Sequence, residues 1–169
     1  VTGQGASGLV TQVALNDGNG AFTDSGKSFS AVRDGSLAIG DFNNDGKPDA
    51  LMTGFAAAFA PSTRLLQNSG GDFTNVAGSG LPIVSESATA WGDYDNDGDL
   101  DLFISGQTAG TAISNLYTNN NDGTFSGNGS LIPPVKDGSA AWGDYDNDGF
   151  IDIVFTGDST SGRIAKIYR

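Results

Sequence analysis

An all-β fold assembled from repeated four-stranded units follows from three observations. The acidic decapeptide GDYDNDGDLD at 92–101 has siblings GDFNNDGKPD at 40–49 and GDYDNDGFID at 143–152, which spaces Asp41, Asp93 and Asp144 by 52 and 51 residues. A fixed step of that length marks a repeat architecture. Within each unit, short β-prone runs alternate with turns of Gly, Asn and Asp. No window carries the 3.6-residue periodicity of an amphipathic helix. Four antiparallel strands per unit of 40–50 residues is the signature of a β-propeller blade.

Each element recurs in order. Strand A precedes the acidic loop as LAIG, ATAWG and AAWG, making Ile39, Trp91 and Trp142 equivalent. Strand B follows it as ALMTG, LFISG and IVFTG, with a further copy of its ending, VTG, opening the chain. Strand C is TQVALN, TRLLQN, SNLYTN and finally AKIYR. Strand D follows the turns in NDGNGAF, NSGGDF and NNDGTF, with Phe22, Phe73 and Phe125 in register. The repeats run over about 1–51, 52–103 and 104–154, and 155–169 begins a fourth copy. Residues 1–169 thus read as one propeller segment that starts at the end of a B strand and finishes on a C strand. Three repeats are fewer than the four to eight blades of typical propellers. The expectation is a partial propeller, or one completed by oligomerisation, since open ends leave strand edges and apolar faces bare. Trp91, Trp142, Phe73 and Phe125 are expected as core between blades.

Composition narrows the function. The net charge is -12, and acidity rests on Asp, with Glu86 the single glutamate. Aspartate is a poor helix former and a good turn and ligand residue, so the charge belongs to loops that hold something. Eight Lys and Arg, scattered singly, make no basic patch, which argues against nucleic acid. No apolar stretch approaches a membrane span, so no membrane insertion is expected. The opening VTGQGASGLV lacks the basic and apolar blocks of a signal peptide, so the chain is expected to be unexported or a mature or excised segment. Without cysteine or histidine, thiolate sites, the commonest general base and nearly all transition-metal sites are excluded.

The acidic loops place carboxylates at alternate positions: Asp93, Asp95, Asp97 and Asp101, then Asp144, Asp146, Asp148 and Asp152, with Asp41, Asn43, Asp45 and Asp49 in the first unit. A hard divalent cation takes six to eight oxygens, and alternate positions on a tight loop aim successive side chains inward. Gly46, Gly98 and Gly149 supply the sharp turn. Position seven varies as Lys47, Asp99 and Phe150, as expected where only its backbone carbonyl serves; the Asp99 carboxylate is then left over. The loop begins like an EF-hand, but the position that would hold the closing Glu carries Met52, Ile104 or Phe155. Three Ca²⁺ sites are expected, Mg²⁺ being less suited because it keeps its waters. The Asp41 loop is expected to be weakest, since Asn43 replaces a carboxylate and Lys47 adds a positive charge.

The texts AIGDFNNDGKPDALMTG, AWGDYDNDGDLDLFISG and AWGDYDNDGFIDIVFTG, with the follow-on NLYTNNNDGTF, resemble the FG-GAP or VCBS repeats of integrin α-subunit-like β-propellers. The resemblance spans essentially the whole chain. It implies four-stranded blades with calcium held between the first two strands, the side-chain sets above serving as ligands and the carbonyls of Lys47, Asp99 and Phe150 completing them.

The function this implies is a calcium-stabilised, non-catalytic binding or adhesion module outside the cell, recognising a protein or a carbohydrate. Three alternatives stand beside it: a lectin propeller, a non-catalytic part of a polysaccharide-degrading enzyme, and a self-assembling homo-oligomeric fragment. Tyr117, Tyr168, Asn119, Asn120 and Arg64 are candidate surface groups for a sugar. No catalytic cluster is recognisable: the four Tyr and four Lys are dispersed, and Glu86 has no partner carboxylate nearby in sequence.

Overall fold

The computed structural model describes residues 2–5, 8–129 and 131–169; Val1 of the opening VTG lies outside them. Four antiparallel meanders follow one another along the chain. The first holds β1 (Thr2–Gly5), β2 (Gly8–Asn16) and β3 (Phe22–Ser28). The second holds β4 (Leu37–Gly40), β5 (Asp49–Phe55), β6 (Pro61–Asn68) and β7 (Phe73–Asn75). The third repeats it as β8 (Ser85–Gly92), β9 (Asp101–Thr108), β10 (Thr111–Asn119) and β11 (Phe125–Gly127). The last has β12 (Lys136–Gly143), β13 (Asp152–Ser159) and β14 (Gly162–Tyr168). In the lettering of the sequence these are B-C-D, A-B-C-D, A-B-C-D and A-B-C. The blades form an open row, and no barrel closes. A single 3-10 turn, Ala57–Phe59, is the one helical piece among the described residues, and none of the helices is long and apolar enough to cross a membrane.

The core lies between blades, in three layers. Val32, Ala50, Met52 and Leu66 fill the first, with Phe29 and Phe73 against them. Phe42, Leu51, Leu65, Leu102, Ile104, Tyr117 and Phe125 fill the second, and Phe103, Val135, Ile153 and Phe155 the third. A strand covered on both faces has no polar side to keep, which is why β5 and β9 are buried over their first six residues. The corresponding β13 returns to alternation, because the outer face of the last blade is bare and Val154 is 43% exposed.

One contact recurs at the last two junctions. A Cβ on Gly40 would lie 2.9 Å from the Trp91 indole, and one on Gly92 would lie 2.8 Å from Trp142. Gly40 and Gly92, at the ends of their A strands, are therefore the sockets for the tryptophan of the following blade. Trp142 Nε1 also donates to the Ala90 carbonyl at 3.1 Å, whereas the buried Trp91 Nε1 has no acceptor. Phe125 closes the second layer from strand D, 6.0 Å from Trp91 and 6.3 Å from Phe42 between ring centroids. Phe73 is half-buried against Phe29. Phe22, in register with both, is instead 66% exposed and lies outside the three core layers.

At the opposite end of the blades, Glu86 donates its backbone N–H to the Asp34 carbonyl at 2.7 Å and pairs its carboxylate with Lys136. The glutamate that stands alone in sequence is thus a tie across three blades.

Candidate metal centres

Each acidic loop joins strand A to strand B, across β4–β5, β8–β9 and β12–β13. The tight path needs two left-handed residues. Asn44, Asn96 and Asn147 take φ of 55°, 59° and 59°, and Gly46, Gly98 and Gly149 take 80°, 94° and 92°. Asparagine and glycine are the residues that tolerate this region. The first aspartate then caps the turn: Asp93 accepts the N–H groups of Asp97 and Gly98, both at 3.0 Å, and Asp144 accepts those of Asp148 and Gly149, both at 3.1 Å.

The last aspartate of each loop, the first residue of strand B, is the buried one. Asp49 and Asp101 are fully buried and Asp152 is 5% exposed. Asp101 accepts N–H groups from Tyr94 at 3.3 Å and Asn119 at 2.9 Å, and Asp49 accepts those of Phe42 at 3.3 Å and Asn68 at 2.7 Å. Burial outweighs those bonds and pushes the Asp101 carboxyl up to about 6, aided by the charges of Asp95 and Asp97. Burial raises Asp49 in the same sense.

Two trios converge. One carboxylate oxygen from each of Asp93, Asp95 and Asp101 lies within 4.8 Å of the others, and so do those of Asp144, Asp146 and Asp152. Two oxygens bound at 2.3–2.6 Å to one Ca²⁺ stand no more than about 5 Å apart, so this spacing and the all-oxygen donor set fit that ion. Among the described residues, the Asp41 loop brings no such trio together. Asn43 sits where the others have a third carboxylate, and Asp45 is engaged by Lys47 Nζ at 3.0 Å. In the last loop Asp146 pairs with Arg169, a competitor for a cation that the Asp93 loop lacks. Asp97 and Asp148 stand outside the trios and accept the N–H two residues on, each at 2.9 Å.

Several assignments change with the structure in hand. The Asp99 carboxylate is not left over: it accepts from Asn44 Nδ2 at 2.6 Å and from Asn121 Nδ2, joining its loop to the preceding one. Tyr117 and Asn119, offered as surface groups for a sugar, are buried in the core. Asn119 Nδ2 donates to the carbonyls of Phe42 at 2.8 Å and Leu100 at 3.2 Å, so it fixes the loops. Tyr168 is half-buried against Phe155, Arg64 is half-buried on β6, and Asn120 alone of the five is exposed. The loop asparagines were missed as linkers. Asn96 Nδ2 reaches the Gly149 carbonyl of the next loop at 3.3 Å, as Asn44 reaches Asp99. Their signal was present in the sequence, as an Asn at the same position of all three loops.

Meandering four-stranded blades with an acidic loop between the first two strands define a propeller-type repeat. A family model described as FG-GAP-like repeat matches residues 2–52 and 93–155, and the chain belongs to that family. No curated protein matches the chain.

Proposed function

We propose that the chain is a calcium-stabilised binding module that works outside the cell and holds a protein or carbohydrate partner. FG-GAP-like repeats are typically non-catalytic, extracellular binding modules. The observation that carries the calcium reading is the convergence of Asp93, Asp95 and Asp101, and of Asp144, Asp146 and Asp152, each around a buried aspartate. Three like charges so close repel one another unless a cation neutralises them. Loops of this kind in extracellular modules bind Ca²⁺ at about 10⁻⁴–10⁻³ M, filled outside a cell and largely empty in cytosol.

Calorimetric titration with Ca²⁺ tests this reading. The Asp93 loop is expected to bind most tightly, the Asp144 loop next because Arg169 competes, and the Asp41 loop most weakly. Asp93→Ala should remove the strongest site. Melting should occur at a higher temperature in millimolar Ca²⁺ than in EDTA; equal melting and no heat of binding would refute the reading. A glycan array separates a carbohydrate partner from a protein one.

A further inference from the structure

The turn between strands B and C is where one repeat departs from the others. It takes two residues between β9 and β10 (109–110) and between β13 and β14 (160–161), but five between β5 and β6 (56–60). Insertions of this kind in repeat proteins gather on one face, often the face that binds. The longer turn reads AAAFA and is closed by the Ala56 N–H, which donates to the Ala60 carbonyl at 2.8 Å. Its path puts Ala58 and Phe59 side by side at φ of 57° and 60°. A left-handed phenylalanine is a strained choice where the β9–β10 turn uses Gly110, and such outliers cluster at ligand clamps.

The strained path displays an aromatic ring. Phe59 is 71% exposed, although the Arg33 guanidinium lies over it, 4.1 Å from the ring centroid and 5.6 Å from that of Phe55. Arg33 in turn donates to the Asp34 carboxylate, which is half exposed. Beside them opens a cavity of about 510 Å³, walled by Leu9 of the first blade, by Arg33 and Phe59, and by the alanines at 56–58. That volume falls in the range of small-ligand sites, about 300–1,000 Å³. The cavity lies next to Asp34, whose carbonyl receives the Glu86 N–H, and so at the end of the blades away from the acidic loops.

The lining selects its ligand by chemistry. Alanine methyls and an aromatic ring offer an apolar floor, and the guanidinium and carboxylate at its edge offer donors and acceptors together. A pyranose divides itself in the same way, with C–H groups across one face and hydroxyls, each both donor and acceptor, around the rim. An anion is disfavoured, because Asp34 already neutralises Arg33 and the chain carries a net charge of -12. An apolar peptide side chain would use the floor but would desolvate the ion pair without replacing its contacts to water.

We propose that this cavity binds a neutral pyranose sugar, stacked on Phe59 and hydrogen-bonded at its rim by Arg33 and Asp34. The assignment rests on the reading of the chain as a binding module and narrows its partner to a neutral glycan.

The test applies the whole chain, in millimolar Ca²⁺, to an array of neutral and acidic oligosaccharides, and titrates the strongest neutral one by calorimetry. Expected is saturable binding that is about tenfold weaker in Phe59→Ala, as loss of an aromatic platform requires. Phe22→Ala, which removes another exposed phenylalanine, should bind as the wild type does. Phe59→Gly guards against a folding defect: glycine accepts a φ of 60°, so this variant should keep the calcium-dependent melting of the wild type and still lose the sugar. Phe59→Trp, which restores a ring, should bind. Undiminished affinity in Phe59→Ala or Phe59→Gly, an array on which only acidic glycans are retained, or no neutral glycan bound at millimolar concentration would overturn the assignment. Retention of a peptide through Phe59, with no sugar bound, would overturn it as well. The calcium titration reports on the acidic loops alone, so a chain that binds Ca²⁺ but no neutral glycan refutes the sugar site and leaves the metal reading standing.

Discussion

Asp101 is the residue on which folding and the proposed metal binding meet. Its burial at the head of β9 holds its proton to about pH 6, against an ordinary value of 3.8. A raised acid pKa means that the folded chain binds the proton more tightly than the unfolded one. Without metal, this group's contribution favours the fold at low pH and is lost as pH rises from about 4 to about 6. In EDTA, the wild-type chain should therefore lose melting temperature relative to Asp101→Asn between pH 4.5 and pH 7, since asparagine cannot titrate. A constant gap across that range would contradict the assignment. Calcium inverts the sign, because it needs the deprotonated carboxylate. The carboxylate pattern of this site is plain in the sequence, whereas the burial of its last member is not, for burial depends on Asn119, eighteen residues away on another strand. Asp99 shows the same limit: its partners Asn44 and Asn121 lie 55 and 22 residues distant, and no local pattern announces them.

Among the elements, the A strands show how a small residue sets blade spacing. Gly92→Ala would push a methyl group against Trp142 and Ile151, 2.8 Å from both, and should cost about 1–3 kcal/mol as an overpacked core site. Gly143→Ala, at the equivalent position of β12, meets nothing within 4 Å and should change stability by no more than about 0.5 kcal/mol. Chemical denaturation of the two variants compares a socket that is filled with one that is open. Strand order was readable because Gly, Asn and Asp punctuate every β-prone run with the same step. Which strand residues face water was not readable: Tyr117 and Asn119 read as surface groups for a sugar, yet a blade stacked on both sides hides polar and apolar groups alike. The exposure of Phe22 reverses that case, since its sequence matches Phe73 and Phe125 yet its side chain packs in none of the core layers.

The whole molecule is a row of blades whose core layers each belong to two neighbours, so stability passes from one blade to the next. Amide exchange should be slowest in β5 and β9, which are buried on both faces, and fastest in β1, β2 and β14 of the outer sheets. Uniform protection across all four sheets would contradict this nearest-neighbour picture. The glycine and tryptophan of the last two junctions also give the row a direction, since each pairs a hollow on the earlier blade with an indole on the later one. A whole period can therefore be excised or duplicated while leaving the same mating surfaces behind: cutting from Gly40 to Gly92 would bring Trp142 onto Gly40. Removing only part of a blade's strands would break the fit. Gene-level growth or shrinkage of this protein is thus quantised by an indole ring and an absent methyl group, in steps of one blade.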